Sequence, residues 1–163
     1  IMEKTGHFNI KNTIKETSAI LGGEMSGHIF INYKWYGFDD AIYTAAVISS
    51  IVSQNNKDLN EIIAEFPKSF STEELNLNVL DEEKFLFVEQ FTEQMDFPNA
   101  DINLLDGVRV SYKDCWGLIR ASNTSPKLVL RFEGNSKESL NKIQIEFEKN
   151  LKRIFPNLEL KYT

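Results

Sequence analysis

The sequence has little cysteine and no long hydrophobic run. Its single cysteine, Cys115, excludes a disulfide within the chain and argues against a Cys-rich zinc site. The longest nearly apolar run, residues 42–52, is interrupted by Thr44, Ser49 and Ser50. It is shorter than the roughly 18 to 20 residues that span a bilayer. We therefore expect a protein without a membrane span, and the cysteine usage agrees with a cytoplasmic location.

The sequence also has fewer basic than acidic residues. The 163 residues include 18 Lys and Arg against 24 Asp and Glu, a formal net charge of −6. This balance argues against a duplex nucleic-acid binder, because such proteins neutralise phosphates with Lys and Arg, but it leaves room for a small-anion pocket. With 42% hydrophobic and 12% aromatic residues, the chain has enough apolar material for a buried core. We expect one domain or two small ones.

The first residues, IMEKTGH, lack the charged and apolar regions of a signal peptide and do not start with Met. We therefore interpret the chain as a piece of a longer protein, with some of its functional partners outside it.

Hydrophobic periodicity predicts an α+β protein with a boundary near Pro67. Residues 1–67 are expected to form an α/β unit, and residues 68–163 a compact α+β unit with a largely antiparallel sheet and packed helices. In the first unit we predict helices at 9–17, from Asp39-Asp40 to about 53, and at 58–66, with strands at 19–21 and 29–31. In the second we predict strands at 75–79, 102–105, 108–112, 115–121, 127–133 and 158–162, and helices at 81–95 and from the Ser136 cap to Pro156. The helix at 81–95 is expected to have Asp81 as its cap and an apolar stripe of Phe85, Val88, Phe91 and Met95. The last helix is expected to have an apolar stripe of Leu140, Ile143, Phe147, Leu151 and Ile154.

The loop between the last two long strands, RASNTSP at 120–126, is rich in phosphate-binding groups. An Arg guanidinium offers a fixed fork of donors, hydroxyls offer neutral donors, and turn amides can form a concave nest. An ordinary polar turn between strands has the same composition, so both interpretations stay open.

A second loop, GGEMSGH at 22–28, combines three glycines with a carboxylate, a hydroxyl and an imidazole. A carboxylate can accept from two neighbouring hydroxyls, as in the recognition of a sugar diol. A Gly-rich bend with a surface Glu and a packing His is the structural alternative. His28 and His7 could serve in proton transfer or could be structural. The Asp39-Asp40 pair is better explained by helix capping than by a metal, so we predict no metal ligand in this chain.

Together, these motifs resemble the bacterial phosphomannomutase/phosphoglucomutase enzymes of the α-D-phosphohexomutase superfamily. GEMSGH at 23–28 is similar to their sugar-recognition motif, and RASNTSP at 120–126 to the phosphate-binding loop of their last domain. The segments TGH at 5–7, WYGFDD at 35–40 and RFE at 131–133 are also similar.

The resemblance implies the end of domain 3 over residues 1–67 and a TATA-binding-protein-like domain 4 over 68–163. It implies that Glu24 and Ser26 hold sugar hydroxyls, while His28 and His7 lie near the reacting end as catalytic groups. The phosphate that is not transferred would be held by a set of four residues: Arg120, Ser122, Asn123 and Thr124.

The implied reaction is the isomerisation of glucose or mannose 1-phosphate and 6-phosphate through a bisphosphorylated sugar. The sequence contains no Thr-Ala-Ser-His-type loop for a phosphoserine donor and no Asp-Gly-Asp-x-Asp-type loop for magnesium. The resemblance therefore implies that Mg²⁺, and glucose or mannose 1,6-bisphosphate as intermediate, act in a complete enzyme with missing N-terminal domains, and that this chain alone is inactive. The alternatives are a non-catalytic sugar-phosphate-binding module and, against the charge balance, a nucleic-acid binder.

Overall fold

The computed structural model describes residues 1–158 and 160. They divide into two compact units, Ile1–Pro67 and Lys68–Thr163. Both contain helices and antiparallel strands, so the predicted α+β class is confirmed. Within the described part of the chain, no helix has the length and apolar character needed to cross a bilayer.

The first unit is a β-hairpin accompanied by three helices. Its strands pair antiparallel, with Leu21 opposite Ile31 and Gly23 opposite Ile29. Its elements in chain order are α1 (His7–Thr17), β1 (Leu21–Gly23), β2 (Ile29–Ile31), α2 (Ala41–Gln54) and α3 (Leu59–Ile63).

Helix α1 packs closely on the hairpin. Ile10 and Ile14, four residues apart on one face, form a small core with Phe30. A side chain on Gly22 would meet Ile10 and Ile14 at 2.9 Å, so glycine permits this close approach. The predicted strand at 19–21 is wrong by two residues, because the left-handed Ser18 ends the helix and the ladder begins only at Leu21.

Helices α2 and α3 form as predicted but expose much of their apolar surface. The Asp40 carboxylate caps α2 by accepting from the Tyr43 backbone N–H at 2.9 Å. Ile42, Ile48 and Ile51 are nevertheless exposed, and an open cleft of about 560 Å³ lies between α2 and the hairpin. Helix α3 ends at Ile63, three residues before the predicted end.

The second unit is a six-stranded antiparallel sheet with two helices. The strand order is β3-β8-β7-β6-β5, and β4 also pairs with β8. Its elements are β3 (Phe70–Ser71), β4 (Leu75–Asn78), α4 (Lys84–Gln94), β5 (Asp101–Asn103), β6 (Val108–Ser111), β7 (Cys115–Ala121), β8 (Lys127–Gly134) and α5 (Lys137–Ile154).

The helices α4 and α5 contact the sheet and supply an aromatic core. Phe147 of α5 lies 5.1 Å from Phe132, 6.0 Å from Phe91 and 4.9 Å from Phe97 between ring centroids. Ser136 caps α5 by accepting from the Ser139 backbone N–H, as predicted. The predicted apolar stripe of α5 is confirmed, because its members are buried or pack against the core.

Two predictions for the second unit are wrong, and the short strand β3 was not predicted. Asp81 does not cap α4; its carboxylate pairs with the Lys84 ammonium at 2.7 Å, and the helix starts three residues later than predicted. Phe85, expected on the buried stripe, is 59% exposed. Of the predicted strand at 158–162, residues 159, 161 and 162 lie outside the described part of the chain.

Candidate functional site

The first candidate site is the turn of the β1–β2 hairpin. The Glu24 N–H donates to the His28 carbonyl at 2.9 Å, and the Gly27 N–H donates to the Glu24 carbonyl at 3.0 Å. Gly27 has a φ of 95°, a conformation that glycine adopts without strain. These bonds close the loop and place the Glu24, Ser26 and His28 side chains on one short turn.

The Glu24 carboxylate is held by two donors within this unit. One oxygen accepts from the Gly6 backbone N–H at 2.8 Å, and the other accepts from the Ser26 hydroxyl at 3.2 Å. Gly6 directly precedes α1, so the packing of α1 on Gly22 also fixes this contact. The result is a half-buried carboxylate beside an exposed hydroxyl, which together can accept from and donate to a ligand's hydroxyl groups.

Two imidazoles and a second carboxylate complete this cluster. His28 Nδ1 lies 2.7 Å from Asp39 Oδ2, and His7 Nε2 lies 3.6 Å from the same oxygen. The two imidazole rings contact edge to face, with centroids 4.5 Å apart. The hydrogen bond with His28 is the main reason why the pKa of Asp39 lies below its usual value. The carboxylate therefore stays ionised, accepts a hydrogen bond from His28 and makes a longer contact with His7.

The second candidate site is the loop that joins β7 to β8. Its base closes where the Ser122 N–H donates to the Lys127 carbonyl at 3.0 Å. The Ser122 hydroxyl, nearly buried, accepts from the Thr124 and Ser125 backbone N–H groups at 3.4 and 3.2 Å. Two amides expected to face a ligand are thus engaged inside the turn, while the Asn123 and Thr124 residues are exposed.

Arg120 lies at the entrance of this loop on a half-buried site of β7. One of its guanidinium nitrogens donates to the Ala121 carbonyl at 3.4 Å, a long bond that occupies one of five donors. Gly107 packs against the same segment, since a Cβ there would lie 2.3 Å from the Ile119 carbonyl and 2.6 Å from Arg120 Cβ. The close approach of this turn restrains the backbone from which Arg120 projects.

Lys84 ties the loop to the start of α4. Its ammonium is nearly buried and donates to the Ser125 carbonyl at 3.3 Å and to Asp81 Oδ1 at 2.7 Å. A buried ammonium requires such partners, because its desolvation is otherwise costly. Lys84 therefore anchors the loop to the residues at the start of α4.

The thiol of Cys115 contributes no nucleophile. It is buried in the core, and this burial raises its pKa to about 11, so the thiol stays protonated at neutral pH.

The structure places the eight residues predicted for the site in two groups. His7, Glu24, Ser26 and His28 lie together in the first unit, and Arg120, Ser122, Asn123 and Thr124 share one loop of the second. Sequence reasoning missed two further residues, Asp39 and Lys84. The Asp39-Asp40 pair was interpreted as a cap, but only Asp40 has that role. Nothing in the local pattern distinguished Lys84 from a surface lysine in the first turn of a helix.

Family models match almost the whole chain. Residues 1–70 match the model described as phosphoglucomutase/phosphomannomutase, alpha/beta/alpha domain III, and residues 74–150 match that of the C-terminal domain of the same enzymes.

Individual relatives agree with the family models. The chain is 46% identical over 162 residues to a phosphomannomutase/phosphoglucomutase of Pseudomonas putida, covering 99% of this chain and 35% of the relative. It is 41% identical over 150 residues to a phosphoglucomutase of Neisseria gonorrhoeae, covering 91% of this chain and 32% of the relative. A crystal structure of a phosphoglucomutase/phosphomannomutase family protein from Burkholderia thailandensis superimposes with a TM-score of 0.90 at 39% identity, covering 98% of this chain and 34% of the other. The chain thus spans about a third of the length of these relatives.

Proposed function

Because the chain belongs to the phosphoglucomutase/phosphomannomutase family, we propose that it is the sugar-phosphate-recognising part of a hexose-phosphate mutase. The complete enzyme would interconvert the 1-phosphate and 6-phosphate of glucose or mannose through a bisphosphorylated sugar. The proposal rests chiefly on one observation. The hairpin turn that carries Glu24 lies in the part matched by domain III, and the β7–β8 loop that begins at Arg120 lies in the part matched by the C-terminal domain.

We assign the sugar to the hairpin turn of the first unit. Glu24 and Ser26 would exchange their mutual hydrogen bond for bonds to two sugar hydroxyls. Both side chains would then keep a hydrogen-bond partner when the sugar binds. The remaining bond from Gly6 to Glu24 would hold the carboxylate in place while the sugar binds.

We assign the phosphate that is not transferred to the β7–β8 loop. Arg120 would supply the charge-assisted bonds, and the Ser122, Asn123 and Thr124 side chains the neutral ones. Ser122 Oγ already accepts from loop amides, so its hydroxyl hydrogen would serve as its donor to the phosphate. Binding energy at this end of the substrate would position the reacting oxygen at the other.

His28 and His7 would act near the reacting end by moving a proton or stabilising charge. Since an ionised carboxylate only accepts hydrogen bonds, Asp39 favours the form of His28 that carries a proton on Nδ1. This leaves Nε2 of His28 as the position that accepts or releases a proton.

Phosphoryl transfer itself would need groups that this chain does not supply. The full sequence contains neither the phosphoserine-type nor the magnesium-type loop. Among the described residues, the group whose geometry could hold a metal ion includes two imidazoles, whereas Mg²⁺ prefers oxygen ligands. We therefore expect Mg²⁺ to bind elsewhere in the complete enzyme and this chain alone to be inactive.

Ligand titrations followed by amide NMR test the proposal. Mannose 1-phosphate is expected to shift resonances of both loops, and inorganic phosphate only those of residues 120–125. Arg120→Ala is expected to weaken mannose 1-phosphate binding by about 1.5–3 kcal/mol, because a charge-assisted bond is lost. Lys113→Ala, which removes an exposed cation outside the loop, is the matched control.

Glu24→Gln tests the division of the site between sugar and phosphate. It should weaken mannose 1-phosphate binding and leave inorganic phosphate binding unchanged. Equal losses for the two ligands would contradict the assignment, as would an Arg120→Ala variant that binds like the Lys113→Ala control.

A further inference from the structure

The hairpin turn of the first unit carries a group of side chains that suits a metal ion. His7, Glu24 and His28 each offer one ligand atom, and these atoms all lie within 4.8 Å of one another. Around a tetrahedral zinc ion, neighbouring ligand atoms are separated by about 3.4 Å, as follows from metal–ligand distances near 2 Å. Small side-chain rotations would therefore suffice to close the three groups on an ion.

We propose that His7, Glu24 and His28 form a binding site for a transition-metal dication of the zinc class. Two imidazoles and one carboxylate are a donor set that zinc, cobalt and nickel ions accept, whereas magnesium and calcium prefer oxygen ligands alone. This departs from the expectation from sequence that the chain holds no metal ligand, which considered Asp39 and Asp40 as candidates and not the two histidines.

Asp39 prepares His28 for this role. Its Oδ2 lies 2.7 Å from His28 Nδ1, and its Oδ1 accepts from the Ile29 backbone N–H at 3.2 Å, which fixes the carboxylate. Histidine ligands of metals commonly donate their second ring N–H to such a carboxylate, which orients the ring and makes the other nitrogen a better ligand. His28 Nε2 is therefore the atom that we assign to the metal.

The other two ligands are restrained as well. Glu24 is held by the Gly6 N–H and the Ser26 hydroxyl, and the His7 ring lies edge to face against His28 and Phe30. The side chains of His7 and His28 are 47% and 45% exposed, so an ion can reach them from solvent. Three protein ligands leave a fourth position open to water, an anion or a ligand's oxygen.

A consequence for the enzyme follows if the proposed function is correct. Glu24 would serve both the sugar and the ion, so zinc and the sugar phosphate would exclude each other. Zinc would then inhibit sugar binding through the substrate-recognition turn itself. This consequence rests on the proposed function; the metal site does not.

Calorimetric titration of the chain with zinc chloride, without sugar, tests the site directly. We expect one zinc ion per chain, and no binding of magnesium under the same conditions. His7→Ala, His28→Ala and Glu24→Gln should each abolish or strongly weaken zinc binding. Glu16→Gln, which removes an exposed carboxylate from the other end of α1, should bind zinc like the unmodified chain.

Asp39→Asn tests the positioning role, because it removes the charge of the acceptor but none of the three ligands. We expect zinc affinity to fall by about tenfold with one ion still bound, because loss of a residue that hydrogen-bonds to a metal ligand typically has an effect of this size. Cobalt titration gives an independent readout, since a tetrahedral cobalt site has a strong visible absorption that ligand variants should lose. Amide NMR spectra of each variant establish that the first unit is still folded.

Absence of zinc binding, or binding that both histidine variants retain, would overturn the metal site. A competition experiment separates this result from the proposed function. If zinc binds through the two histidines while mannose 1-phosphate still binds with unchanged affinity, the metal site stands and the shared use of Glu24 is wrong.

Discussion

At the scale of single residues, polar contacts give chemically similar side chains different positions and partners in the structure. Asp39 and Asp40 are neighbours of identical chemistry, yet Asp40 caps α2 and Asp39 holds two histidines. Lys84 is a lysine on the first turn of a helix, yet it is buried and donates a hydrogen bond to the backbone of the β7–β8 loop. In both cases the role of the residue depends on the partner that the fold brings close to it, because hydrogen bonds to that partner stabilise the ionised side chain.

The titration of Asp39 measures its contact with His28. The pKa of Asp39 is lowered below 3.8, first by the hydrogen bond with His28. A lowered pKa in the folded state contributes stability that is complete above the unfolded value and is lost as pH falls through the folded value. In His28→Ala, we expect the pKa of Asp39 to rise toward 3.8, as measured by its side-chain carboxyl ¹³C shift. His7→Ala should have a smaller effect, since its nitrogen is 3.6 Å away; an unchanged Asp39 titration in His28→Ala would contradict the contact.

At the scale of helices and strands, alternate residues of a strand face the helices and are buried, while the residues between them face away. Strand β7 buries every second residue from Cys115 to Ala121, which leaves Arg120 on the face opposite to the core. Two glycines on the core side allow α5 to approach the sheet. At Gly117 a Cβ would lie 2.5 Å from the Phe147 ring, and at Gly134 it would lie 2.4 Å from the Leu140 backbone nitrogen.

Gly134→Ala should destabilise the second unit. The clash involves helix backbone, which cannot rotate away as a side chain can, so the start of α5 would have to shift. We expect a loss of about 1–3 kcal/mol, the usual cost of overpacking, in urea unfolding followed by circular dichroism. Gly23→Ala is the matched control, because its added methyl would lie at an ordinary 3.6 Å from the His28 carbonyl. Equal stability of the two variants would show that α5 does not pack this closely.

At the scale of the whole molecule, the two units differ in how much apolar surface they bury. The core of the second unit combines residues of its sheet, of α4 and α5 and of the loop after α4, and it includes four buried phenylalanines. The first unit centres on Ile10, Ile14 and Phe30, and leaves apolar residues of α2 and α3 exposed. Since burial of apolar surface is the main favourable term in folding, the second unit should be the more stable.

Native-state hydrogen exchange should resolve this difference. We expect the slowest amides in β7, β8 and α5, and faster exchange throughout α1 and α2, because segments with few buried contacts open at lower free energy. Two-dimensional NMR after transfer to deuterated buffer measures both sets in one sample. Amides of α2 that exchange as slowly as those of β8 would contradict the proposed order of stability.

Much of the fold was accessible from sequence because it depends on local patterns. The alternation in β7 and β8, the Ser136 cap and the apolar stripe of α5 each lie within one segment, so their signals are intact in the sequence. The boundaries were less accurate. The start of α4 moved because Asp81 pairs with Lys84 instead of capping the helix, a choice that depends on the burial of the lysine.

The sequence by itself determined the class of fold, the two polar loops and the order of the described elements other than β3, because periodicity and turn residues act over short distances along the chain. Only the tertiary structure decided which side chains meet. The packing of α1 on Gly22 brings His7 and Gly6 to the turn that carries Glu24 and His28, and the segment before α2 adds Asp39. These residues are separated by up to 33 positions in sequence, from Gly6 to Asp39, and no local pattern encodes contacts across that distance.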